Sequence, residues 1–373
     1  MAVQFTLMAP VRILFVGFGN VGKAFAKMLL RKTDLLDTSY GIRYIVSGVI
    51  TGSHGFAICN GDDSPGLDLP MILSALDDDA DERTLCDVGK AAAANGAAGV
   101  QYSSASGDTL GLIQTCGADV LFEGIPVNYE TGEPALSILR AGIGAGMHVI
   151  SANKGPVVHG HAELTSLAAA QRPAVRYLHE SAVMDGVPIF SLQRACLPGA
   201  EVTAFEGVLN STTNIILSAM ERGTTFGDAL ASAQADGIAE ADPSGDIDGW
   251  DSAVKVAALC RVLLQHPVAV AEVEREGIAS VTADAVAEAA AAGERYKLMC
   301  RGRLHEDGRL EASVRPERVG PSCAFYQLEA ADSAVTFYTD VLQPVTVTSH
   351  HPTNDDTAFG LLADFITAMR GGS

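Results

Sequence analysis

Apolar residues first gather in a short run at residues 11–16 (VRILFV), followed at once by GFGNVG and then by residues 23–30, where apolar positions recur at helical spacing. A short β-branched run bounded by glycines reads as a buried strand, and the 3.6-residue period that follows reads as a helix packed on it. Further strand patterns lie at residues 43–50, 118–122 (ADVLF) and 147–151 (MHVIS), with helical patterns such as 133–141 between them. Residues 61–69 (GDDSPGLDL) read as a loop, and the alanine-rich stretch 91–98 as plain helix. Alternation of this kind predicts βαβ units and a parallel sheet.

Beyond Lys154 the texture changes. Residues 176–179, 202–209 and 302–314 read as strands, with helices at 162–170, 229–236, 250–264 and 283–292, and the last segment, 357–370, reads as an amphipathic helix able to return to the first domain. The fold class predicted is α/β: a Rossmann-type dinucleotide-binding domain of residues 1–153 plus 340–373, with an inserted α+β domain of residues 154–339 for substrate binding and dimerisation.

Composition narrows the function. The 373 residues are 48% hydrophobic and 19% charged, as in a folded globular protein, and long enough for two cores. A net charge of −20 with no cluster of Lys and Arg speaks against nucleic acid as a partner. The seven cysteines are scattered without CxxC pairs, which suggests neither a disulfide framework nor a thiolate zinc site and fits a reducing cytoplasm. The N-terminal residues do not read as a signal peptide, and no apolar stretch approaches the ~20 residues of a membrane span.

Gly17, Gly19 and Gly22 stand between a predicted strand and a predicted helix, the context that gives GxGxxG its meaning. Gly17 permits the tight turn, Gly19 the close approach of a pyrophosphate, and Gly22 close helix packing, while Asn20 and Val21 offer amides at the helix start. An acid at the end of the second strand would bind the 2′-hydroxyl of NAD; here the chain reads VITGSH (residues 49–54) and lacks it. Thr51, Ser53 and His54 can instead donate hydrogen bonds to a 2′-phosphate, so NADP is the expected cofactor, with NAD usable. Lys154, in SANKGP, follows another strand's carboxyl end, where open α/β sheets place ligands.

Residues 239–255 (AEADPSGDIDGWDSAVK) crowd Glu240, Asp242, Asp246, Asp248 and Asp251 ahead of Lys255. A helix opening near Gly249 puts Asp251 and Lys255 four residues apart on one face, a paired acid and amine beside a bank of acceptors. Such a site suits a small substrate with an ammonium group and a hydroxyl that exchanges a proton. A solvated acidic loop carries the same residues, and these alone leave both readings open.

GFGNVG (17–22), PVNYETGEPA (126–135), SANKGP (151–156), ESAV with GVP (180–188), GVLNSTTNIIL (207–217) and the acidic run, taken in order, resemble the homoserine dehydrogenase family over nearly the whole chain. The resemblance is to a short form, with no room after Arg370 for a regulatory domain. It implies NAD(P)H-dependent reduction of L-aspartate 4-semialdehyde to L-homoserine, a step toward threonine and methionine. It further implies that Lys255 transfers the proton with Asp251 beside it, that Glu240 and Asp246 bind homoserine, that Ser211 and Thr212 help hold substrate, and that Lys154 lies near nicotinamide and substrate. Glu180, Val183, Asp185 and Val187 align with a monovalent-cation site resembling a sodium site built from carbonyls, and a homodimer is the implied assembly. Departures at Met184-Asp185, Ile125 and Ile238 leave room for another small hydroxy or aldehyde substrate, or for a degenerate NADP-binding sensor.

Overall fold

The computed structural model describes residues 9–61, 64–77 and 83–370. The N-terminal residues read for a signal peptide fall largely outside these, as do residues 62–63 of the expected loop. The chain divides into two compact units, residues 1–186 with 354–373, and residues 187–353.

The first unit runs β1 (Val11–Val16), α1 (Asn20–Tyr40), β2 (Tyr44–Ile50), β3 (Phe56–Ile58), α2 (Leu69–Ala75), α3 (Leu85–Ala94) and β4 (Gln101–Ser103). It continues through α4 (Thr109–Thr115), β5 (Val120–Glu123), α5 (Ala135–Gly144), β6 (His148–Ser151), α6 (Lys154–Ala170) and β7 (Tyr177–Leu178). The sheet order is β4-β3-β2-β1-β5-β6-β7. The five strands from β2 to β7 are parallel, and β3 and β4 extend the sheet in antiparallel register. Chain order reverses at β1, between β2 and β5, the point at which doubly wound sheets open a crevice at their strand ends.

The strands are nearly continuous runs of buried residues because helices cover both faces of a parallel sheet. On one face Phe15 packs against Phe18, Phe25 and Phe122, with ring centroids 5.2 to 5.9 Å apart. The last helix, α12 (Asn354–Met369), lies on α1 and brings Phe365 to 5.6 Å from Phe122, so the amphipathic C-terminal segment joins this core.

The second unit contains β8 (Val202–Val208), α7 (Ser211–Glu221), α8 (Phe226–Ala235), α9 (Ser244–Ile247), α10 (Trp250–Leu263), β9 (Glu274–Arg275) and α11 (Ala283–Ala291). Then come β10 (Arg295–Leu304), β11 (Leu310–Val319), β12 (Ser333–Thr339) and β13 (Val345–Ser349). Its sheet has the order β13-β12-β8-β10-β11-β9 and is antiparallel except for the short β9–β11 pair.

Several boundaries differ from the sequence reading. The units divide at 186/187 and 353/354, whereas the expected divisions were 153/154 and 339/340. The reason is packing: α6 lies against α5, and β7 pairs in parallel with β6, which keeps residues 154–186 with the first sheet. Residues 302–314, read as one strand, belong to a hairpin in which Glu306, Asp307 and Gly308 turn β10 into β11. Residues 333–349, unread from the pattern, hold β12 and β13. Among the described residues no helix is long and apolar enough to cross a membrane.

Candidate active site

In the first unit the glycine segment is shaped by backbone. Gly17 has φ of +86°, and a Cβ built there would stand 2.5 Å from Gly124 O and 2.8 Å from Ile125 N, so only glycine fits. Gly19 is the N-cap of α1 without a side-chain cap, has no atom within 4 Å of a built Cβ, and is followed by a first turn with no acidic residue. The amides of Asn20, Val21 and Gly22 therefore begin a helix with space before them and the positive end of its dipole uncompensated. Gly22 is less constrained than expected: a methyl there would meet Gly17 O at 3.5 Å and Phe18 at 3.6 Å, ordinary contacts.

Behind this turn sits a residue that the sequence reading passed over. Glu123 ends β5 and is 1% exposed. Its Oε1 accepts from Ile125 N at 2.9 Å and Asn153 Nδ2 at 3.3 Å, and its Oε2 accepts from Ser151 Oγ at 2.5 Å. Asn153 in turn caps α6 by accepting Gly155 N at 2.9 Å, and Lys154 is the first residue of that helix. One buried carboxylate thus ties the turn against Gly17 to the start of Lys154's helix. Burial pushes its pKa up, against the lowering effect of the three donors. An acid at the end of an apolar strand (VLFE) was its only trace in the sequence.

The loop after β2 is a closed turn. Thr51 Oγ1 donates to Gly55 O and accepts from His54 N, each at 2.9 Å, and Ser53 Oγ lies 2.8 Å from His54 Nδ1. The Thr51 proton expected for a 2′-phosphate is therefore used within the turn. Farther along, the candidate cation residues Glu180 and Val183 lie buried in a short turn, with Met184 and Asp185 at φ of 56° and 59°. Glu180 N donates to Asp364 Oδ2 at 2.7 Å, and Asp185 Oδ1 accepts from Thr357 Oγ1 at 3.1 Å, so α12 holds this turn. Val187 belongs to the second unit.

In the second unit the acidic run is a site of side chains. The i,i+4 spacing on α10 sets Lys255 Nζ 2.7 Å from Asp251 Oδ2, and both side chains are only 13% exposed. Lys255 Nζ also donates to Leu209 O at 2.5 Å. Asn210, the N-cap of α7, donates through Nδ2 to Asp246 Oδ1 at 2.7 Å and to Asp251 Oδ2 at 3.0 Å. The structure thus brings together Asn210, Asp246, Asp251 and Lys255. Ser211 and Thr212 open α7 immediately after Asn210, with Thr212 buried.

Glu240 is exposed on the stretch before α9, where its backbone carbonyl accepts from Gln234 Nε2 at 3.1 Å. Asp242 shapes the loop by accepting Ser244 N at 3.1 Å, and the Ser244 side chain, then this backbone bond, lower its pKa. Asp248 contributes its carbonyl to Arg275 Nη1, and the Arg275 guanidinium lies 3.7 Å over the Trp250 ring. Gly277 supplies the seat: a Cβ there would come within 2.2 Å of Ile247 O. Arg275 and Gly277 lie more than twenty residues from the loop they hold, and nothing in their local sequence marks them.

Comparison with known proteins agrees with both units. A family model described as homoserine dehydrogenase matches residues 188–366. The chain is 33% identical over 361 residues to an NAD(+)-dependent homoserine dehydrogenase of Pseudomonas canavaninivorans, covering 96% of each chain. It is 33% identical over 355 residues to a homoserine dehydrogenase of Methanocaldococcus jannaschii, covering 95% of this chain and 97% of that one. Among solved structures, a homoserine dehydrogenase from Thiobacillus denitrificans superposes with a TM-score of 0.77 at 26% identity, covering 98% of this chain and 74% of that one. The order of motifs, the doubly wound first unit and the identity across nearly the full length establish that this chain belongs to the homoserine dehydrogenase family.

Proposed function

We propose that this chain is an active homoserine dehydrogenase, reducing the aldehyde of L-aspartate 4-semialdehyde to the alcohol of L-homoserine, a step toward threonine and methionine. The Lys255–Asp251 pair carries the reading: an amine and a carboxylate 2.7 Å apart, largely withdrawn from water, with Asp246 linked to them through Asn210. A solvated acidic loop has no reason to enclose them so.

The glycine turn of the first unit fits a dinucleotide, since Gly17 admits no side chain, the space at Gly19 is open and the helix start carries no acid. When bound, NAD(P)H supplies the hydride and NAD(P)+ takes it up. The chain's own residues handle proton and charge. As reduction proceeds, negative charge builds on the former aldehyde oxygen, and Lys255 as ammonium donates a proton to it while Asp251 keeps the amine in place. In oxidation the neutral amine accepts the hydroxyl proton, so that direction gains rate as pH rises. Asp246 and Glu240 offer acceptors to the substrate ammonium, Ser211 and Thr212 help hold the substrate, and Lys154 orients its carbonyl or carboxylate. The decisive experiment incubates the protein with L-homoserine and NADP+ at alkaline pH. Homoserine-dependent formation of reduced dinucleotide is expected; its absence, with turnover of another alcohol, would overturn the substrate assignment.

For the cofactor we propose NADP(H) with NAD(H) also used, because residues 51–54 carry no acid to repel a 2′-phosphate. The internal use of the Thr51 hydroxyl and the NAD(+) dependence named for the Pseudomonas canavaninivorans relative favour a second reading, preference for NAD(H). Michaelis constants for NADPH and NADH decide between them. A monovalent cation such as sodium at the carbonyls of Glu180, Val183, Asp185 and Val187, and a homodimer formed through the second unit, complete the proposal. Activity in sodium against choline chloride tests the first, and light scattering at assay concentration the second.

A further inference from the structure

Asn210 uses both ends of its carboxamide. Its Oδ1 accepts the N–H of Thr213 at 2.8 Å, the N-cap bond of α7, and its Nδ2 donates to Asp246 and Asp251 at 2.7 and 3.0 Å. The oxygen it reaches on Asp251 is Oδ2, the same one that meets Lys255 Nζ. The preceding residue, Leu209, gives its carbonyl to the same amine. Asn210 is 4% exposed, so its amide is shielded from bulk water, while Asp246 beside it is half-buried.

Capping alone does not call for asparagine, because serine and aspartate cap a helix about equally well. Only an amide accepts the cap N–H while presenting two N–H donors on the other side, and here both go to carboxylates that would otherwise repel each other across the site. We propose that Asn210 is a positioning residue of the proton-transfer site: it clamps Asp251 against Lys255 and fixes Asp246 beside them. This rests on Lys255 being the proton-transfer group.

The test exploits a difference in rank order. A capping role makes Asn210→Ser and Asn210→Asp equivalent to wild type, because both side chains accept Thr213 N–H. The bridging role ranks them asparagine, then serine, then aspartate, since serine loses two donors and aspartate sets a third carboxylate against two. With L-homoserine, kcat is expected to fall about tenfold in Asn210→Ser and about a hundredfold in Asn210→Asp, while the dissociation constant for NADP+ stays within twofold of wild type. Thermal melting supplies a readout independent of turnover. Asn210→Asp should lower Tm by about 3–6 °C, and the swap Asn210→Asp with Asp246→Asn, which restores one bond with donor and acceptor exchanged, should recover about half of that loss. Equal kcat in the serine and aspartate variants, or a swap without recovery of Tm, overturns the proposal. Wild-type protein inert toward homoserine would instead overturn the functional reading, and the melting data would still decide whether Asn210 bridges the two carboxylates.

Discussion

The two units build their sites from different materials. The glycine turn of the first unit is made of backbone: amides at a helix start, a positive φ at Gly17 and a carbonyl wall at Gly124, with Glu123 hidden beneath. The Lys255 cluster of the second unit is made of side chains whose partners are other side chains, Asp251, Asn210 and Asp246. A backbone site recognises what every dinucleotide shares, its phosphates, and tolerates little change in its own shape. A side-chain site reads a particular substrate and moves a proton, and can be altered one group at a time.

If that division holds, substitutions in the second unit should cost turnover without costing dinucleotide affinity, and those in the first should do the reverse. The largest effect belongs to Lys255→Ala, which should lower kcat by about a hundredfold or more while the NADP+ dissociation constant stays within twofold. A matching loss of affinity would merge the two sites into one. Next is Gly17→Ala, where a methyl would strike Gly124 and φ is left-handed. About 2 kcal/mol of strain should weaken dinucleotide binding by about thirtyfold, measured by fluorescence titration. Binding within threefold of wild type would show that the turn adapts.

Glu123→Gln sharpens the comparison through pH. An acid whose pKa is raised on folding binds its proton more tightly in the native state, so the native state loses stability as pH rises from the ordinary value of 4.5 through the raised one. Denaturant titrations across that window should show a downward slope in wild type that the glutamine variant lacks. Parallel curves would mean that Glu123 is ionised in both states without penalty. The smallest effect is expected for Arg275→Ala, which removes the stacking on Trp250 and the bond to Asp248 O. It should raise the KM for homoserine less than tenfold and leave that for the dinucleotide alone.

The same contrast explains what was legible in the sequence. GFGNVG between a β-branched run and a helical period announces a backbone site because glycine placement is itself the mechanism. Asp251 and Lys255 were legible because helix geometry converts a spacing of four into contact. Asn210, Arg275 and Glu123 were not, since their roles arise from partners 27 to 41 residues distant, or from a paired strand, and such partners are set by tertiary packing. Residues 302–314 read as a single strand because the arms of the hairpin alternate charged and apolar residues across a short turn at Glu306, Asp307 and Gly308. Glu240, placed with Asp246 by resemblance, stands exposed, outside the network that joins Asn210, Asp246, Asp251 and Lys255.

The claim on which the rest depends is that the acidic cluster receives an ammonium-bearing alcohol. Its most direct test is the ratio of kcat/KM for L-homoserine to that for 4-hydroxybutyrate, the same chain without the amino group, at saturating NADP+. An ammonium held by the half-buried Asp246 makes that ratio about a hundred or more. A ratio near one would contradict the account.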